Sequence, residues 1–457
     1  MRQSIKNRLG EQTPQTSSFN KQTLDTTHST GVETMFNKAE CEFIAIEQCN
    51  DDVEDLIRIA DGLEAIEKQQ PLDINDSLTK ACVDSIAGEV GLEAKDVVED
   101  IVETIRRIWR TIYNAIRKGI RQVKIWLKTL LDGTEKFKTR VDALSERLTT
   151  VSTESKDKTP ITAPLISAAL DVEGEVSPLL IKDRLSLVTP LFSKQMVGNV
   201  EAVTSMLTGM AKVDPTDIKT ISVFKDAVTV KEKVDSVLGG IVLSKKKLPL
   251  KEGIIQVIFP RVVVSDIFEF TLKASQVHST ETLPGNKAIY VLSSKLIGKH
   301  EHIKVKSAHL NLTARLGSLS LINPSIKLTE NKLPVLSYGD MVDLCTFVSS
   351  KLDDVIYFND YYTKRSLKSS EAMFDQVDKL SDTIYSKVED RDQAAEARSV
   401  FKVISNMSQE VYQLSEGLTL NTVRYTIKTC RAIIKYVEES ASRYESNLDE
   451  STLLESK

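Results

Sequence analysis

Residues 100–132 read DIVETIRRIWRTIYNAIRKGIRQVKIWLKTLLD. Ile101, Ile105, Ile108, Ile112, Ile116, Ile120, Val123, Leu127 and Leu130 recur every three or four residues. At 100° per residue they fall within a wedge of about 120° on a helical projection. Eight cations lie on the opposite side: Arg106, Arg107, Arg110, Arg117, Lys118, Arg121, Lys124 and Lys128. No acid occurs between Thr104 and Leu131. Trp109 and Tyr113 border the wedge, and Ile125 is the one apolar residue on the basic side. The stretch therefore predicts a long amphipathic helix.

The rest of the chain has the opposite charge. The formal net charge is −5, so without these eight cations the remainder carries −13. Such asymmetry says more about partners than the total does. Three uses of the helix are open at this point. The wedge can be core, with the basic face solvated or paired with the acidic face of residues 40–67. The cations can neutralise nucleic-acid phosphates in a salt-sensitive way. Alternatively the wedge and its tryptophans can lie in a membrane interface, with the cations on headgroups.

Working outward, the chain predicts an α+β fold, mainly α. It should have an N-terminal amphipathic helical module, a central small antiparallel β-sheet region and a C-terminal helical bundle. Residues 1–37 are rich in Ser, Thr, Gln and Asn and read as a disordered leader, with structure starting near Glu40. From there Ile46, Cys49, Val53, Ile57, Ala60 and Leu63 form a helical stripe, and ten acids against the single Arg58 form its other face. A short helix is expected around Leu78, Cys82 and Ile86. The basic helix follows, and Gly133 is expected to turn the chain back into a helix bearing Phe137, Val141, Leu144 and Leu148. The helical module thus spans residues 38–155.

Residues 156–236 read as a mainly helical connection, with Met196, Val200, Val203 and Met206 on one face. Over 237–328 the period changes to alternation, and turn signals at Gly239-Gly240, Pro284-Gly285 and Asn323-Pro324 partition an antiparallel β region. Pro260 puts its strand at an edge or a bulge. Residues 329–445 return to helices. Ser337 and Asp340 give a capping signal before Met341, and stripes recur at Val400, Val403, Met407, Val411 and Leu414, then at Val423, Ile427, Cys430, Ile434 and Val437. Residues 446–457 read as a frayed tail.

Chemical signatures are scarce. The five cysteines are scattered, form no short Cys-x-x-Cys pair, and read as small core residues in a reducing compartment. His300 and His302 share a strand face and read as solvated rather than as metal ligands. No dinucleotide, Walker, nucleophile-elbow or zincin motif occurs. No catalytic, metal-ligating or cofactor-binding residues are expected. No signal-peptide core is evident in the leader, and no run of about 20 uncharged apolar residues occurs, so synthesis in a cytosol and no membrane span are expected.

An acidic amphipathic helix, then SIAGEVGLEAKDVVEDI (residues 85–101), then the basic helix running into GTEKFKTRVDALSERL, resembles the N-terminal part of the internal head proteins, or internal virion proteins, of large tailed bacteriophages. ETLPGNKAIYV at Glu281–Val291 is similar to a Leu-Pro-Gly segment in those proteins. The resemblance is carried by residues 38–150. It implies a non-enzymatic structural protein inside the capsid, packaged with the genome, its partners being double-stranded DNA and other capsid or internal proteins. Ejection into the host cytoplasm with the DNA is a further implication. So is trimming by a prohead protease after tripeptides of a small or aliphatic residue, any residue and Glu, which points to Glu11 in Leu9-Gly10-Glu11 and Glu33 in Gly31-Val32-Glu33. Similar tripeptides ending at Glu64 and Glu67 fall in expected helix, where an extended substrate would have to unfold. A membrane-active effector and a motif-less injected enzyme are the other functional readings.

Overall fold

The structure is a computed structural model. It describes residues 31–67, 101–155, 157–214, 246–248, 276–293, 313–318, 331–387 and 391–446, and singly Asp84, Thr229, Val230 and Lys233. The expectations for the leader before Gly31, for the helix around Leu78, for Pro260 and its strand, and for His300 and His302 lie outside the described residues.

Nine α-helices are described: α1 (Gly31–Glu67), α2 (Ile101–Leu148), α3 (Pro164–Leu170), α4 (Pro178–Ser186), α5 (Lys194–Met210), α6 (Tyr338–Tyr361), α7 (Leu367–Lys387), α8 (Arg391–Gln413) and α9 (Asn421–Ala441). The strands are β1 (Val151–Ser155), β2 (Ile161–Thr162), β3 (Lys246–Leu248), β4 (Gln276–Ser279), β5 (Lys287–Ser293), β6 (Thr313–Ser318), β7 (Lys332–Leu333) and β8 (Tyr444–Ser446). The fold is α+β and mainly α, as the sequence periods predict.

The chain forms two compact units. The first contains Met1–Leu130, Lys212–Ile218 and Phe374–Phe401. Its core is built on the wedge of α2: all nine wedge positions from Ile101 to Leu130 are buried. Trp126 meets Phe43 of α1 with ring centroids 5.2 Å apart, and Trp109 meets Phe401 of α8 edge-on at 5.0 Å. Tyr113 faces Phe374 of α7 at 6.4 Å. Phe36 and Ala39 are buried on the same stripe as Phe43 and Ile46, which explains why α1 opens at Gly31 and not near Glu40. Phe36 in the polar leader and Ala39 just after it extend the period backwards, and Glu33 in the first turn suits the helix dipole.

The second unit holds Leu131–Ala211, Lys219–Met373 and Lys402–Lys457. β3 to β6 make an antiparallel meander in chain order, with Tyr290 of β5 between Ser279 and Arg315. Two-stranded antiparallel pairs β1–β8 and β2–β7 tie distant segments. Ser337 caps α6 as expected: its Oγ accepts the Asp340 N–H at 3.1 Å and donates to the Asp340 carboxylate at 2.6 Å. The Leu283–Asn286 turn before β5 is locked from both sides. Asn286 Nδ2 donates to Asp171 Oδ2 at 3.1 Å, its Oδ1 accepts the Glu173 N–H at 2.7 Å, and Tyr425 donates to the Pro284 carbonyl at 2.8 Å. Gly285 has φ +72°, and a Cβ there would sit 3.3 Å from the Ala169 carbonyl oxygen.

Gly133 does not turn the chain. α2 runs through it to Leu148 because the buried positions Leu127, Leu130, Thr134, Phe137, Val141, Leu144 and Leu148 keep one phase across the glycine. A glycine in a helix interior costs about 1 kcal/mol, which is small beside a continuous buried stripe. Two π-helical segments, Tyr362–Ser366 and Leu414–Leu420, join α6 to α7 and α8 to α9. They are linked by the hydrogen bond that the Tyr362 hydroxyl donates to the carboxyl oxygen Oε1 of Glu416. Both side chains are buried, and desolvation pushes the Glu416 carboxyl from 4.5 up to about 8.

Candidate nucleic-acid interface

With its apolar wedge in the core, α2 has only its other face to offer. Arg107, Arg110, Asn114, Lys118, Arg121, Ile125 and Lys128 form its exposed crest at three- and four-residue spacing. Ile125 stands 49% exposed, as its place on the basic side predicts. Both tryptophans are fully buried, so an interfacial membrane helix would first have to bring Trp109 and Trp126 out of the core of the first unit. No helix among the described residues is long and apolar enough to cross a membrane.

The eight cations fall into different environments. Arg106 Nε lies 3.4 Å and Arg110 Nη2 2.9 Å from Asp382 Oδ1. Arg117 Nη2 reaches Asp375 at 3.0 Å and Asp378 at 2.7 Å. Burial alone would lower the Arg117 pKa, but its bonds to Asp378 and Asp375 outweigh that and hold it above its ordinary value. Arg106 and Arg107 also pair with Glu103 one turn back on α2. Lys124 is half-buried and already engaged. Lys118, Arg121 and Lys128 are exposed and make no ion pair with any described residue.

The long-range partners of Arg106, Arg110 and Arg117 therefore come from α7, not from the acidic face of residues 40–67. Asp375, Asp378 and Asp382 share one face of α7 at three- and four-residue spacing, and the pairings run antiparallel to α2. Reading the sequence missed them. The available signal was an acidic stripe of matching helical period, far along the chain from the arginines.

Facing α1, the crest borders a groove of about 660 Å³, with Asp52, Asp55 and Leu56 on one wall and Ala115, Lys118, Arg121 and Ile125 on the other. Cys49 sits in this groove half-buried. Burial pushes its thiol up, and Lys118 works against that shift. Asp55 is occupied by Arg58 at 2.9 Å. The cysteines are thus not uniformly core: Cys345 and Cys430 are buried, whereas Cys41 is exposed.

Of the two expected trimming sites, Glu11 lies outside the described residues. Glu33 stands in the first turn of α1 and not in an extended leader. Among the described residues, no group of three or more His, Cys, Asp or Glu could hold a metal ion.

Residues 43–439 match the family model of phiKZ-like phage internal head proteins. No curated protein and no solved structure matches the chain.

Proposed function

The chain belongs to the phiKZ-like phage internal head proteins, a structural component of the virion interior, and from that premise we propose that it contacts the packaged duplex through the basic face of α2. The observation that carries this reading is the exposure of Lys118, Arg121 and Lys128 on a helix whose other face is committed to core. Long cationic side chains without carboxylate partners are suited to phosphate oxygens, and such contacts carry no base specificity. The acidic remainder of the chain favours a protein that touches DNA along one surface over one that condenses it. Neighbouring capsid or internal head proteins are the natural partners of the other surfaces.

Trimming by a head protease belongs to the same reading. Cleavage after Glu33 needs only the first turn of α1 to unwind, where backbone N–H groups lack intrahelical acceptors in any case. Mass spectrometry of purified virions tests both the location and the processing. The expected result is a packaged chain beginning at Gln12 or Thr34; an intact Met1 terminus in every copy removes the processing. Titrating the purified protein with duplex DNA from 50 to 200 mM salt tests the contact. Affinity should fall steeply with salt, and binding indifferent to salt rules phosphates out.

A further inference from the structure

Three arginines of the basic face are occupied by a helix that presents carboxylates where a nucleic acid would present phosphates. Asp375, Asp378 and Asp382 lie on one face of α7 over two helical turns, about 10 Å of rise. They take Arg106, Arg110 and Arg117 at 2.7–3.4 Å. The cations that make no ion pair with any described residue follow directly along α2. Lys118 to Lys128 covers about 15 Å of helix, a length over which one strand of B-DNA presents about four phosphates. Across the groove stand Asp52 and Asp55 of α1, the latter held by Arg58, and these carboxylates favour approach of a duplex from the side away from α1.

Resting on the DNA-contact reading, we propose that α7 is a built-in phosphate mimic, which masks Arg106, Arg110 and Arg117 and confines DNA contact to Lys118, Arg121 and Lys128. Arg107 is held separately by Glu103 and Lys124 is engaged elsewhere, so the number of phosphates neutralised per chain is three and not eight. Loss of the aspartates, by substitution or by a competing polyanion, enlarges the contact.

The salt dependence of duplex binding by the full chain counts those phosphates. Three contacts give a slope of log affinity against log salt of roughly −2.7, six give roughly −5.4, and eight give roughly −7. Wild type should therefore fall near −3. K118Q/R121Q/K128Q should flatten the slope toward zero, and R106Q/R110Q/R117Q should leave it unchanged. D375N/D378N/D382N should steepen it toward −5. D382N alone frees Arg110 and leaves Arg106 only its Glu103 pair, with less disturbance of the fold, and should give an intermediate slope; thermal melts check that each variant is folded.

Two results overturn the mimic: an arginine variant that flattens the slope as far as the lysine-strip variant, or an aspartate variant that keeps the wild-type slope. Binding by the aspartate variant but not by wild type supports the mask and overturns the free strip. Binding by neither removes the DNA-contact reading and the mask with it.

Discussion

The Tyr362 hydroxyl donates to the carboxyl oxygen Oε1 of Glu416 across two π-helical segments, and neither side chain reaches solvent. In the unfolded chain Glu416 loses its proton near 4.5, but in the fold it keeps it up to about 8. The fold therefore binds the extra proton, and the contribution of this residue to stability is fully present below pH 4.5 and lost as pH rises to about 8. Glu416→Gln, which cannot ionise, should be more stable than wild type at pH 8–9 by an amount on the order of a few kcal/mol. At pH 4 the two should converge. Urea melts of both proteins across pH 4–9 give the difference; a variant less stable than wild type at pH 9 contradicts the assignment.

Gly285 adopts φ +72° beneath the Ala169 carbonyl. Gly285→Ala adds both backbone strain and a 3.3 Å contact, and should destabilise by about 1–3 kcal/mol. Gly31→Ala, with nothing within 4 Å of the added Cβ, is the control and should be neutral or slightly stabilising. Equal melting temperatures for the two variants would show that the Leu283–Asn286 turn tolerates a side chain.

The chain has two tryptophans, and both are buried in the first unit. Their emission should be blue-shifted and poorly quenched by acrylamide. Adding vesicles rich in anionic lipid should change neither property. A shift or new protection on vesicle addition would return the interfacial reading of α2 to the front.

Thiol reactivity should separate the cysteines. Among the cysteines of the described residues, Cys41 is exposed and should react first with a disulfide reagent at pH 8. Cys345 and Cys430 should stay unreactive until the protein unfolds, because burial pushes their thiols up to about 11 and about 12. With Cys82 replaced by Ser throughout, Cys41→Ser should remove the fastest phase; if it persists, the exposure of that face of α1 is wrong.

Much of the fold was legible because burial obeys period. The stripes at Val423, Ile427, Cys430, Ile434 and Val437, and at Met196, Val200 and Val203, are buried as their spacing requires, whereas Met206 of the latter stripe is half-buried and Leu207 beside it takes the core position. The Ser337 cap needed only local chemistry. Gly133 misled because glycine was read as a break, whereas the phase of its apolar neighbours had not shifted. The π-helical segments left no such trace, since the apolar stripe can be followed up to Val411 and again from Val423, and the hydrogen-bond shift between them has no residue signature. At the interface, the burial of the wedge and the exposure of Ile125 followed from a helical projection. Which cations are masked did not, because Asp375, Asp378 and Asp382 belong to a helix more than 250 residues away in sequence. Charge pairing over such separations is set by tertiary packing, and a single sequence shows only that both stripes share a helical period.

The unbroken phase of α2 also governs how this gene can change length. One residue inserted between Leu130 and Phe137 turns everything downstream through about 100°, carrying Phe137, Val141, Leu144 and Leu148 out of the buried stripe while leaving composition almost untouched. An insertion of seven residues returns the stripe to within about 20° of its original bearing. Drift within this family should therefore be permissive toward substitution at the exposed Asp132, Glu135 and Lys136, and should admit gaps in this stretch only in lengths close to a whole number of turns, such as seven or eleven residues.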